Sequence, residues 1–139
     1  MRISLASSPH FNCLESANGF AVDWIAAWNS HDLDRILSFY RDDVVFSSPV
    51  LAKLMPETAG HLQGRTSLRA YWERALVLRP DLNFELIRVM TGVGRCVVHY
   101  LNDRGRYCAE SFVFDDAGRV VESHACVEFG LKGVGGLNG

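Results

Sequence analysis

His99 and Glu110 are the two side chains whose types and positions best suit proton transfer. A carboxylate beside an imidazole in an apolar cavity can orient the ring and hold its protonated form, which makes His99 a general acid or base and Glu110 its partner. Whether they meet depends on the turn between them. With a two-residue turn on Arg104-Gly105, Asp103 opposes Arg106, and counting back pairs His99 with Glu110 on one face of a sheet. Any loop with an even residue count keeps them together, whereas a three-residue turn on Asp103-Arg104-Gly105 sends them to opposite faces. The same residues have a non-catalytic reading, as a buried pair that only satisfies itself or as a cross-strand ion pair on a dimer face.

Other candidates are weaker. The alternation Val121, Ser123, Ala125, Val127 and Phe129 reads as an inward row, which turns His124 outward with Glu122 and Glu128 and gives it an interface role. His31 and Asp32 sit in a polar break between helical stretches, where capping and turn chemistry account for them without a metal. Cys13, Cys96, Cys108 and Cys126 lie far apart, with no close metal-type pair. They read as reduced core cysteines, with a disulfide between neighbouring strands as the minor alternative. Aromatic residues at helical or strand spacing are usually core. Rings gathered around a curved sheet can also line a cavity for a flat, apolar ligand. The ligand-binding set expected here is Trp24, Trp28, Phe46, Ser48, Tyr71 and Phe112.

The elements that must position these residues follow from periodicity. Ala17, Phe20, Ala21, Trp24, Ala27 and Trp28 form the stripe of a first helix. Leu33, Ile36, Leu37 and Tyr40 repeat that spacing in a short second helix that Asp32 can cap. Arg41-Asp42-Asp43 then turns the chain into a β-branched run from Val44 to Ser48, halted by Pro49. The prolines and glycines of 49–64 predict a loop over one end of the domain, a candidate lid. A third helix follows, with Leu68, Tyr71, Trp72, Ala75 and Leu76 on one face, and ends at Pro80. Beyond it the pattern predicts strands over 83–91, 95–102, 106–114 and 119–129. Three helices followed by hairpin-linked strands give an α+β order in which a mainly antiparallel sheet curls around the helices. Residues 1–15 are expected to be a flexible lead-in, 16–129 the single domain, and 130–139 a flexible tail. Both faces of the sheet are apolar, which predicts a homodimer through the convex face.

Bulk properties narrow the function. The 139 residues are 48% hydrophobic, enough for one core, and 14 basic against 16 acidic residues leave no excess charge to attract polyanions or acidic membranes. Nucleic acid and membrane are therefore not expected partners. No apolar run approaches the roughly 20 residues of a membrane span, and Met1 to Leu14 lacks a signal-peptide core. A soluble, cytoplasmic protein is the expectation.

The stretch from Trp24 to Val50 carries Trp28-Asn29-Ser30-His31-Asp32-Leu33-Asp34, Tyr40-Arg41-Asp42-Asp43-Val44 and Ser48-Pro49-Val50. With Gly64-Arg65, Leu68-Arg69-Ala70-Tyr71-Trp72 and the run from Phe112 to Glu122, it resembles the SnoaL-like members of the nuclear transport factor two-like superfamily. The similarity covers roughly residues 17–129. It implies a cone-shaped fold, usually dimeric, with a ligand cavity between helices and sheet, and it places Glu110 inward with Phe112 and Phe114. Such folds host isomerases, epoxide hydrolases, cyclases, dehydratases and non-catalytic binders. Where the related ketosteroid isomerase carries its tyrosine donor, aspartate base and protonated aspartate, this sequence by resemblance has Trp24, Ser48 and Glu110. A neutral hydroxyl at the base position argues against that mechanism proper. The expected function is binding of a small hydrophobic molecule, with acid-base catalysis by His99 and Glu110 that needs no metal or organic cofactor. The alternatives are a non-catalytic binding or sensing module and a dimeric interaction domain.

Overall fold

The apolar stripe of the first helix becomes its buried face. Helix α1 spans Leu14–Ser30 and buries Ala17, Phe20, Ala21, Trp24, Ala27 and Trp28, positions three and four apart that share one side of a helix. The computed structural model describes residues 14–128. Most of the expected lead-in, the expected tail, Cys13 and Phe129 lie outside the described residues. At the end of α1, the Asn29 side chain donates to the Phe84 carbonyl at 2.9 Å and accepts from the Phe84 N–H at 2.7 Å, fixing the helix to the start of the meander.

Asp32 caps α2, Leu33–Leu37, by accepting from the Arg35 N–H. This helix is shorter than its apolar spacing predicts. The Ser38 N–H turns back to the carbonyls of Asp34 and Ile36, and Tyr40 opens strand β1, Tyr40–Ser47, instead of continuing the helix. The acidic stretch expected to be a turn is a bulge inside β1, where the register shifts between Tyr40 and Val45. Arg41 spans the bulge through ion pairs to Asp43 and Asp115.

The segment expected to be an irregular loop is ordered. It holds helix α3, Pro49–Leu54, a 3-10 turn at Pro56–Thr58 and strand β2, His61–Gln63. Pro49 is compatible with a helix because it stands in the first turn, where its missing N–H costs nothing, and Ser48 caps it by accepting from the Val50 N–H at 3.1 Å. Gly60, at φ +84, lies where a Cβ would meet Ala52 and the Ser48 carbonyl at 3.2 Å, so only glycine lets this hairpin close on α3. Helix α4, Arg65–Leu78, buries Leu68, Tyr71 and Trp72 as the pattern predicts.

Strands β3, Glu85–Gly92, β4, Arg95–Leu101, β5, Tyr107–Phe114, and β6, Val120–Val127, form the antiparallel meander. The sheet order is β2-β1-β6-β5-β4-β3, with the β1–β6 pair alone parallel. Register shifts in β1, β3 and the β5–β6 pair bend the strands and curl the sheet. Buried apolar side chains form one core between its concave side and the helices. The fold is the α+β cone expected, with helices packed on a six-stranded curved sheet. No helix among the described residues is long and apolar enough to cross a membrane.

Candidate functional site

The β4–β5 turn decides which groups share the cavity. Leu101 pairs with Tyr107, so Asn102, Asp103, Arg104, Gly105 and Arg106 stand outside the ladder, an odd count. His99 therefore opposes Ala109, and Val98 opposes Glu110. His99 faces the convex side, where its ring lies 5.7 Å from that of Tyr107, and the expected His99–Glu110 pair does not exist. The cause is local. The Asn102 side-chain oxygen accepts the N–H groups of Arg104 and Arg106 at 2.9 and 3.0 Å, and Gly105 takes φ +75 to close the loop. The register is that of the three-residue turn on Asp103-Arg104-Gly105, closed by the Asn102 N–H donating to the Arg106 carbonyl at 2.9 Å, which sequence alone left open against the two-residue form.

The same parity brings Tyr100 inward, diagonal to Glu110. The Tyr100 hydroxyl donates to Glu110 Oε1 and the Ser123 hydroxyl to Oε2, each at 3.1 Å. Glu110 is 5% exposed. Burial pushes its carboxyl up to about 7, against the opposing effect of the Ser123 and Tyr100 hydrogen bonds. Both neighbouring tyrosines are raised, chiefly by burial and further by the Glu110 charge. Tyr40 is one of them, and its hydroxyl accepts from the Trp24 indole N–H at 2.9 Å. Ser123 takes the inward place expected of it, but its bond to Glu110 and the parts played by Tyr100 and Tyr40 were not legible in the sequence. The period-two row Cys96, Val98, Tyr100 was the signal for Tyr100, but its face could not be known without the turn.

Of this cluster, Glu110, Tyr100 and Trp24 line a cavity of about 530 Å³, with Ser123 and Tyr40 behind them. Trp24, Trp28, Phe46, Ser48 and Tyr71, all expected to contact a ligand, line it with Glu110. Phe112 does not. It is fully buried, packing edge-on against Phe20 at 4.9 Å and Trp24 at 5.1 Å, so it backs the wall from behind. Ser48 reaches the cavity while capping α3, which commits its oxygen to the Val50 N–H. Tyr71 is pushed up to about 12, mainly by burial, with a hydrogen bond to Ser48 pulling the other way. Trp28 Nε1 is buried without a hydrogen-bond partner among the described residues.

The other candidates sit elsewhere. His124 faces outward as expected, held by Ser47 Oγ at Nδ1, 2.6 Å, and Glu122 at Nε2, 2.7 Å. Val120, not Val121, takes the first inward place on β6, because the ladder shifts register there. His31 adopts φ +61 and its Nε2 lies 2.8 Å from the Leu82 carbonyl, the turn role expected. Cys96 and Cys108 are free, buried thiols, whereas Cys126, expected in the core, is exposed. Strand parity places Cys126 opposite Ala109 and on the outer face.

A cone with one carboxyl group in an apolar cavity invites comparison with known proteins. The model of the SnoaL-like domain matches residues 21–133. The chain belongs to the SnoaL-like family. A SnoaL-like protein of unknown function from Burkholderia thailandensis is 42% identical, with a TM-score of 0.77 over 81% of this chain and 93% of that one. A candidate isomerase of the SnoaL-like family from Agrobacterium tumefaciens shares 15% identity at a TM-score of 0.65, covering 81% and 97% of the two chains. AclR, a candidate hydroxylase from Streptomyces galilaeus, shares 20% at 0.64, covering 84% and 91%. These last two show likeness of fold alone. No curated protein matches the chain.

Proposed function

We propose that this SnoaL-like chain binds a small, largely apolar molecule in the cone and moves a proton on it through Glu110, in cofactor-independent chemistry of the isomerase, cyclase or hydrolase type. The carrying observation is a carboxyl group in the wall of an apolar cavity, raised to about 7 by burial. At that value the acid and the carboxylate are both present at neutral pH, the condition under which one group serves as base and then acid. Tyr100 and Ser123 hold the two carboxyl oxygens in place. The cavity volume suits a small organic molecule. The Tyr71 hydroxyl and the Trp28 indole N–H are the neutral donors for an oxygen of that molecule as it gains charge. With His99 on the far side of the sheet, the acid-base role rests on Glu110 alone.

The test is deuterium exchange into the methyl group of 2-acetonaphthone in D2O, followed by NMR. Acceleration that rises with pH through an apparent pKa near 7, and that Glu110→Gln lowers at least 100-fold, is the expected result. A second reading, binding without turnover, has one observation in its favour: both Glu110 oxygens already hold partners. Saturable binding of the ketone with no acceleration would select it, and no binding at all would sink both readings.

We also propose that a second copy covers the convex face, where Val45, Met90 and Tyr107 are exposed, and that the protein works in the cytoplasm, a setting that free thiols suit. Light scattering at micromolar concentration giving the mass of one chain would refute the dimer.

A further inference from the structure

The cavity carries the opposite charge to the chain that encloses it. The sequence totals 14 basic and 16 acidic residues, yet the cavity lining includes Lys53, Arg79, Arg104 and Arg106 against the single carboxyl of Glu110. Two of the four cations stand at the surface. Glu110 and Arg106 are buried, whereas Lys53 and Arg104 are exposed. The exposed apolar lining residues, Val50 and Leu78, flank them on α3 and the end of α4. The open end of the cone is therefore cationic and its floor is not.

This mouth is assembled, not merely decorated. Arg79 is held by Asp103, an ion pair of 2.5 Å with both side chains mostly shielded, and its positive charge reaches inward to Tyr71 and Cys108. Arg106 is 9% exposed, and its guanidinium donates to the neutral backbone carbonyl of Glu128 at 2.9 Å, while the Glu128 carboxylate is taken by the Tyr107 N–H. Neither Lys53 nor Arg104 forms an ion pair among the described residues. Asn102, also in the lining, spends its oxygen on the loop backbone, and its amide N–H group has only a long contact with Cys108 Sγ, at 3.8 Å. Asp103 and Glu128, the acidic residues bonded to the Arg79 side chain and the Tyr107 N–H, are thus both engaged, and the lining keeps a net positive charge and a spare amide donor.

We infer that the ligand is an amphipathic organic anion, with a ring-bearing apolar body against the tryptophan wall and a carboxylate-type head at the mouth, received by Arg104, Arg106, Lys53 and Asn102. Guanidinium groups and an amide match a planar carboxylate in both charge and fork geometry. Held this way, the ligand points its apolar end inward, so the atoms presented to Glu110 are those farthest from the charged head. This rests on the cavity being the binding site.

Calorimetric titration with 2-naphthylacetate and its neutral counterpart 2-naphthylacetamide tests the inference. At pH 6, where Glu110 is mostly protonated, the anion is expected to bind at least tenfold tighter in 20 mM salt. That advantage should shrink several-fold in 500 mM salt, where charges more than about 3–4 Å apart are screened. The double variant Lys53→Gln/Arg104→Gln changes exposed residues while leaving Arg106 and Asn102 in place, and should cut the advantage of the acetate several-fold, with the amide titrated beside it to show an intact cavity. Equal affinity of the two probes for the unaltered protein, or a preference for the amide, overturns the anionic head and leaves the cavity reading standing. A preference that survives the double variant undiminished overturns the assignment of the head to this mouth. Failure of both probes to bind overturns the cavity reading as well.

Discussion

The two faces of the sheet carry clusters of nearly the same composition with opposite prospects. On the concave face, Glu110 is bonded to Ser123 and to the ring hydroxyl of Tyr100. On the convex face, Glu122 is bonded to the ring of His124, which in turn meets Ser47. Each is a glutamate, a serine and an aromatic ring on adjacent strands. Glu110 is buried and its carboxyl is displaced to about 7, whereas the side chains of His124 and Glu122 are 37% and 48% exposed. Water solvates the outer cluster and weakens every charge interaction in it. Inside, two hydroxyls stand where that water would be, so the proton is held to a higher pH. Composition supplies the groups, and burial supplies the chemistry.

The difference can be broken most severely at the wall that creates the dry side. Phe112→Ala removes a fully buried ring that backs the Trp24 side of the cavity, and should cost about 3–5 kcal/mol in urea unfolding. A cost below about 1 kcal/mol would mean that Phe112 is not part of the packed wall.

Next in size is the penalty for ionising Glu110. Its folded value lies above its ordinary value of 4.5, so the folded state holds the proton more tightly than the unfolded chain does. The stabilising contribution is complete below about pH 4.5 and is lost as pH rises through 7. With about 1.4 kcal/mol per unit, the loss is about 3 kcal/mol. The stability of Glu110→Gln relative to the unaltered protein should therefore rise by about 3 kcal/mol between pH 4 and pH 8.5, measured by denaturant unfolding at each pH. A flat difference would show that Glu110 is not perturbed by its surroundings.

Trp24→Phe deletes the donor to the buried Tyr40 hydroxyl and should cost about 1–3 kcal/mol, because that oxygen is left without its bond in a place water does not reach. Smallest of all is Ser47→Ala on the convex face, expected to cost less than about 1 kcal/mol in the isolated chain and to leave ligand affinity unchanged. A stability cost comparable to that of Trp24→Phe would erase the distinction between the two faces.

Much of this architecture was legible in the sequence. The stripe from Ala17 to Trp28, the capping of α2 by Asp32, the buried face of α4 and the alternation along β5 each follow from local periodicity. So do most of the aromatic lining residues, because they come from the core-facing sides of those elements. What could not be read were features fixed by partners distant in the chain. Tyr40 fits a helical spacing but becomes a strand because β6 lies alongside it. The 49–63 segment looks like a loop, but β1 is there to pair with β2. Phe112 belongs to the inward row, yet its depth along the cone, set by Phe20 and Trp24, takes it out of the cavity.

Which titratable group faces the cavity was decided in the same way. The sequence by itself determined that an imidazole and a carboxyl group would stand on adjacent strands of an α+β cone, since alternation and turn residues are local properties. Only the tertiary structure decided which of them faces the cavity. The Asn102 side-chain oxygen braces a three-residue turn between Asn102 and Arg106, and because side chains alternate with a period of two, that odd count sets His99 on the face opposite Glu110.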